Sequence, residues 1–311
     1  MNAAAPFGDT LVARVQERRS QIVLGIDPDP ARLWPGAGDG GGAGAEQAAA
    51  SAVRRHCLAL IDAVAESCVA VKLQLARFEV LGASGRSVLG EVAEHARGAG
   101  LLVIADGKRG DIDVTSQAYA ASLAGGVDTP FGHIDGLGAD LVTVNPLMGR
   151  DALEPFVSAA RAAGSGVLVL VRTSNPGAAD IEDLQLRDGG ALWERIAQIV
   201  DELGDAGGGE AGLSDVGAVF GATAPAHLAR ARELMGSAPF LLPGVGAQGG
   251  RVEDLRPAFR PGRAGGLVSA SRSVADAHLS RGGDPAQAAR AECERLRRSA
   301  WEVSERAPAL G

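Results

Sequence analysis

The sequence predicts a (β/α)8 barrel with an extra N-terminal helix, and three observations carry that expectation. Eight short runs rich in Val, Ile and Leu alternate with stretches of helical periodicity. Several of the runs are apolar almost throughout, as parallel strands covered on both faces are. Almost every run also ends in a polar or glycine-rich group, and a parallel barrel gathers such ends at one mouth. The 311 residues suit one barrel, a fold that commonly takes roughly 250. A doubly wound open sheet, which also alternates strand and helix, is the structural competitor.

The strands are expected at residues 21–27, 68–74, 101–106, 140–145, 166–172, 217–221, 239–243 and 266–271. Between them, Leu58, Ile61 and Val64 mark one helical stripe, and Leu192, Ile196, Ile199 and Leu203 another. Val88, Val92 and Ala96 fit a further helix, ended by Gly98 and Gly100, and the extra helix falls near residues 10–16. Two Gly-rich stretches, 36–44 and 204–212, read as flexible surface insertions rather than linkers, so residues 1–311 are taken as a single barrel domain.

Composition narrows the function classes. A net charge of −8 argues against non-specific nucleic-acid binding, so any phosphate site must be local. Cys57, Cys68 and Cys293 are odd in number and far apart in sequence, which fits reduced thiols in a cytoplasmic protein. No basic-then-apolar leader opens the chain, and no apolar run approaches the roughly 20 residues that cross a bilayer. The five histidines, His56, His95, His133, His227 and His278, lack metal-ligand spacing and read as surface or helix-end residues.

Of 30 basic residues only Lys72 and Lys108 are lysines. Arginine stays protonated at any workable pH, whereas an ammonium can release a proton and respond to burial. A chain that uses Arg elsewhere and keeps Lys twice needs a proton donor or a compact charge at those places. Lys72 closes the run from Val69, and Lys108 lies in Asp106-Gly107-Lys108-Arg109-Gly110-Asp111 after the third strand. Asp106 and Lys108, two apart, project from one strand face. Asp111 follows a glycine, far enough into the loop to turn away. The same charges could form a structural ion-pair network under the mouth. The lysine at the preceding strand end favours chemistry.

These residues resemble the signature of the orotidine 5′-phosphate decarboxylase family, in its longer bacterial subgroup. The resemblance rests on Lys72 and on Ala105 to Ile112, and extends to Gly25-Ile26-Asp27-Pro28, Asn145-Pro146, Thr173 to Gly177, Pro243 to Gly250 and Ser271-Arg272-Ser273. Gly107, Asp113 and the Leu73 that follows Lys72 depart from the family pattern. The resemblance implies conversion of orotidine 5′-phosphate to UMP in pyrimidine biosynthesis, with no metal or organic cofactor. It implies Lys108 as proton donor to a C6 carbanion, Asp106 facing the substrate carboxylate, and Lys72 holding Asp106 ionised. Asp27 would bind ribose and Ser174 the pyrimidine edge. Asp111 and Thr115 would reach across a homodimer with shared sites.

Gly244-Val245-Gly246-Ala247-Gln248-Gly249 formally matches a dinucleotide fingerprint, but it follows the seventh strand, and residues 264–270 hold no acid. A barrel places a phosphate site after strands seven and eight. Gly246, Ala247, Gln248 and Arg272 are therefore expected to bind phosphate, with a plain tight turn as the alternative. Two other functions stay open. One is a Mg-dependent sugar-phosphate decarboxylase or aldolase of the same superfamily; the other is a non-catalytic UMP-binding barrel.

Overall fold

The computed structural model describes residues 5–38, 44–246 and 248–305. Among them ten strands occur in chain order: β1 (Ile22–Ile26), β2 (Ala70–Gln74), β3 (Leu102–Arg109), β4 (Gly126–Thr129), β5 (Gly132–Asp135), β6 (Leu141–Val144), β7 (Gly166–Arg172), β8 (Val216–Phe220), β9 (Phe240–Leu242) and β10 (Gly266–Ala270). Eight of these close a parallel barrel in the order β1-β10-β9-β8-β7-β6-β3-β2. Pairing of β1 with both β2 and β10 removes the edges an open sheet would keep. All eight expected strands are present, and the open-sheet alternative is excluded.

Strand alternation sorts the side chains into two cores. Val71 and Leu73 of β2 pack outward under the helices, while Ala70 faces the barrel interior. On β3, Val103 and Ala105 face out, and Leu102 and Ile104 face in. The inward row is apolar low in the barrel, with Leu141, Leu168, Val219, Leu241 and Leu267 packed together. One step higher the same row turns polar, through Lys72, Asp106 and Ser269. The lower layer is closed by the N-terminal helix Phe7–Arg18, whose Phe7, Leu11 and Val15 are buried in it. At the end of that helix, Arg18 donates to the carbonyls of Ala65 and Ala99, both at 2.7 Å, fixing the plug to two connections of the barrel.

Several expectations need correction. A hairpin of β4 and β5 stands between the helix Asp113–Leu123 and β6, and no strand is expected there. The helix Leu192–Gly204 buries Trp193, Ala197, Val200 and Leu203, so its inward stripe lies one residue on from Leu192, Ile196 and Ile199. Trp193 turns the helix: it packs edge-on against Phe220 and His227, each 5.6 Å between ring centroids. His56 is not a surface residue. It is buried in the helix Ala45–Val64, where its Nδ1 accepts from the Trp34 N–H at 3.1 Å. Burial holds its pKa down to about 4, so it is a neutral acceptor at pH 7.

Residues 204–212 are less free than an insertion. The Asp9 carboxylate of the N-terminal helix accepts from the N–H groups of Glu210 and Ala211. A side chain at Gly209 would place its Cβ 2.3 Å from that carboxylate. Of the other Gly-rich stretch, residues 39–43 lie outside the described residues. Cys68 and Cys293, far apart in sequence, meet with their sulfurs 3.3 Å apart, bringing the segment just before β2 against the last helix, Pro285–Glu305.

Leu11→Ala tests the plug. Leu11 is fully buried against the lower layer, so its truncation should cost about 2–5 kcal/mol of unfolding free energy in urea. A loss under about 1 kcal/mol would mean that the helix is not part of the barrel core.

Candidate active site

A cavity of about 380 Å³ opens at the C-terminal ends of the strands. It is lined by Asp27, Lys72, Gln74, Asp106 and Lys108 on one side of the chain order and by Thr173 to Asn175, Pro243 to Val245, Gln248, Ser269, Ser271 and Arg272 on the other. Loops from one half of the barrel thus meet strand residues from the other half.

Asp106 is its electrostatic centre. Its Oδ2 lies 2.6 Å from Lys72 Nζ and accepts a longer bond from Gln74 Nε2 at 3.4 Å. Its Oδ1 lies 2.6 Å from Lys108 Nζ and accepts from Thr143 Oγ1 at 2.9 Å. Burial raises the Asp106 pKa, but the two ammonium groups and their hydrogen bonds outweigh it and hold the carboxyl down to about 2. Burial alone would lower the Lys72 pKa; Asp106, then Asp27, reverses that and raises it. Both groups are therefore charged at neutral pH. The exposure differs across the cluster: the Lys72 and Asp106 side chains are 7% and 6% exposed, that of Lys108 40%. Lys108 reaches into the cavity, and Lys72 lines its wall with the side chain largely covered.

The other expected residues divide. Asp27 Oδ1 is buried at the cavity wall, where it forms a 3.7 Å ion pair with Lys72 Nζ and accepts no hydrogen bond from any described residue. Ser174 lines the cavity because its loop lies close over β8: a Cβ on Gly221 would come within 2.8 Å of the Ser174 Cα. Arg272 opens the short helix Arg272–Ala275, and its side chain makes no hydrogen bond or ion pair with any described residue. Gln248 lines the cavity, whereas Gly246 shapes the turn instead. Its φ is +79°, and its N–H donates to the Gly250 carbonyl at 3.0 Å, so that amide is not offered to a ligand. Ala247 lies outside the described residues. Asp111 and Thr115 do not line the cavity. Asp111 Oδ1 accepts from the Ile112 N–H, and Thr115 is exposed on the following helix.

Thr143, Gln74 and Ser269 were not anticipated. Each is a polar residue at an inward position of an otherwise apolar run, the same signal that marks Lys72.

Comparison with known proteins decides the family. The model of the orotidine 5′-phosphate decarboxylase / HUMPS family matches residues 20–291. The chain belongs to that family. It is 40% identical over 275 residues to an orotidine 5′-phosphate decarboxylase of Rhodopirellula baltica, covering 88% of this chain and 89% of the relative. It is 42% identical over 269 residues to the enzyme of that name from Deinococcus radiodurans, covering 86% and 88%. The structure of Leishmania donovani OMP decarboxylase superposes with a TM-score of 0.71 at 31% identity, over 95% of this chain and 99% of that one. Within the family, the departures at Gly107 and Asp113 are accommodated locally. Asp113 adopts φ +49°, which Asp tolerates better than most residues, and a Cβ at Gly107 would meet only side-chain atoms, of Leu75 at 2.7 Å and of Arg109 at 3.3 Å.

The charge cluster predicts how stability depends on pH. Asp106→Asn leaves two ammonium groups facing a neutral amide, and breaking a buried pair of this kind costs about 3–5 kcal/mol. Because the folded-state pKa of Asp106 is depressed, its contribution is fully present above the unfolded value of about 4. It is lost as pH falls toward about 2. Urea unfolding of wild type and Asp106→Asn should therefore differ most above pH 5 and converge below pH 3. A difference independent of pH would mean that the carboxylate charge is not what stabilises the cluster.

Proposed function

We propose that the chain decarboxylates orotidine 5′-phosphate to UMP, using the Lys72–Asp106–Lys108 cluster as its electrostatic machinery. The observation that carries this reading is one buried carboxylate clamped by two ammonium groups, in a cavity that also holds an arginine side chain unpaired among the described residues. Cleavage of the bond between C6 and its carboxylate releases CO2 and leaves an electron pair in the ring plane. A fixed cation stabilises that charge as it develops. A proton from the Lys108 ammonium then forms the C6–H bond. Asp106 faces the departing carboxylate, and the repulsion between them is relieved as CO2 leaves. Lys72, largely covered, keeps Asp106 ionised.

The remaining roles follow the free groups. Asp27 Oδ1, which accepts no hydrogen bond from a described residue and has only a 3.7 Å ion pair to Lys72, takes a ribose hydroxyl, as its buried position favours. Ser174 meets the pyrimidine edge. Arg272 and Gln248 hold the phosphate, where a guanidinium fits the dianion well. The Mg-dependent alternative would place an acidic ligand at the end of the second strand; Lys72 stands there, and a cation repels a metal. The non-catalytic alternative leaves the exposed ammonium of Lys108 without a task.

Asp111 and Thr115 act in this reading across a homodimer. Ile112, Val114, Val127, Phe131, Ile134 and Leu147 are all exposed large apolar residues within one stretch of chain around them, 98% exposed in the case of Phe131. Such residues favour a covering partner. Three cysteines without a disulfide fit a cytoplasmic setting.

Wild type should consume orotidine 5′-phosphate in EDTA, followed by loss of its absorbance. Lys108→Ala should bind UMP yet lose nearly all turnover, because the missing group acts on the carbanion rather than on the bound ground state. Retention of activity within about tenfold would remove Lys108 as proton donor, and turnover that needs Mg²⁺ would revive the alternative.

A mixture of inactive Lys108→Ala and Asp111→Ala subunits should regain some activity, since a mixed dimer contains one site free of both changes. Subunits that exchange yet stay inactive together would refute the shared site.

A further inference from the structure

The ladder between β3 and β6 slips at the catalytic segment. Ala105 pairs with Val142, but the next pair is Arg109 with Val144. Four steps along β3 thus oppose two along β6, so Asp106, Gly107 and Lys108 bulge from the β6 ladder, while Asp106 stays paired with Gln74 on the β2 side. Lys108 takes φ +48° within the bulge, a left-handed conformation costly for a residue with a side chain. Its N–H has lost the ladder carbonyl that a regular strand would supply.

Thr143 on β6 fills that gap. Its Oγ1 accepts from the Lys108 N–H at 2.9 Å and donates to Asp106 Oδ1 at 2.9 Å. The direction of both bonds is fixed by chemistry. An ionised carboxylate can only accept and a backbone N–H can only donate, so the one hydroxyl proton goes to Asp106. Thr143 is fully buried, and its β-branched side chain has few rotamers open to it. It does not line the cavity.

We propose that Thr143 is a positioning residue for the proton donor: its hydroxyl joins the left-handed backbone of Lys108 to the carboxylate of Asp106. It thereby sets where the Lys108 ammonium stands relative to the carbon it protonates. This rests on the decarboxylase reading. Without the hydroxyl, the Lys108 backbone has no acceptor in the bulge and relaxes toward an ordinary strand, carrying the ammonium away from the reacting carbon. Substrate binding is left intact, because Thr143 touches none of the groups assigned to ribose, base or phosphate.

The test compares wild type, Thr143→Val and Thr143→Ser by kcat and KM for orotidine 5′-phosphate, affinity for UMP, and thermal midpoint. Val keeps the shape and removes both hydrogen bonds; Ser keeps both bonds. Thr143→Val should lower kcat by roughly 10–100-fold, the scale of a small misplacement of a reacting group. KM and UMP affinity should stay close to wild type, and Thr143→Ser should restore most of kcat. A Val variant with wild-type kcat overturns the proposal. So does a Ser variant as slow as Val, or a loss of UMP affinity that parallels the loss of kcat. If Thr143→Val does not fold, Thr143→Ala makes the same comparison with the same expectations. A wild-type protein without turnover would defeat the decarboxylase reading itself, and this inference with it. An active wild type with an unaffected Val variant would defeat this inference alone.

Discussion

One buried carboxylate between two ammonium groups is the constraint on which the rest of the structure depends. Taking Asp106 out of water is costly, and the cost is offset only by close, well-oriented partners on every side. Lys72, Lys108, Thr143 and Gln74 supply them from three adjacent strands. None of the three strands could provide this set alone. Parallel pairing of β2 with β3 and of β3 with β6 sets the three side by side, and strand alternation turns those side chains toward the barrel interior. The apolar layer beneath, sealed by the N-terminal helix, keeps water from that side of the cluster.

The same cluster explains the local departures from regularity. Two side chains of β3 must address one small volume, and a plain strand would space them about 7 Å apart along its axis. The bulge shortens that separation and brings the Lys108 ammonium back onto Asp106 Oδ1. Backbone strain at Lys108 is then sustained by a side-chain acceptor from the neighbouring strand. Strain of this kind gathers where a site requires a geometry that regular structure does not provide. The contrast in exposure between the two lysines follows from it. Lys72 lies on the regular part of β2 and is covered, whereas Lys108 rides on the bulge and meets the cavity.

A second asymmetry concerns the surface. Apolar side chains are exposed around the β3 loop, on the β4–β5 hairpin and after β6, beside the acid the family motif places at Asp111. The Arg272 guanidinium, without a partner among the described residues, and the Asp27 oxygen, held only by a 3.7 Å ion pair to Lys72, are cavity features of the opposite kind. In the proposed reading both are completed by association, the first with a second subunit and the others with ligand.

Much of this was legible in the sequence. Eight apolar runs with chemistry at their ends implied the barrel, because a parallel strand buried on both faces leaves a continuous hydrophobic signal. Two lysines in an arginine-rich chain marked the centre, since only an ammonium offers both a compact charge and a releasable proton. The β4–β5 hairpin left no such signal: its side chains are largely exposed on both faces, so no burial pattern is written into residues 126–135. Thr143 and Ser269 were visible as polar residues in apolar runs. Their meaning required knowing which parity faces inward, and in strands covered on both faces the sequence does not distinguish inside from outside. Residue chemistry along the chain therefore determined the scaffold and which groups the proposed reading assigns to the reaction. Only the tertiary structure decided which neighbour satisfies each of them, because the strand register and the bulge that set those contacts depend on chain segments distant in sequence.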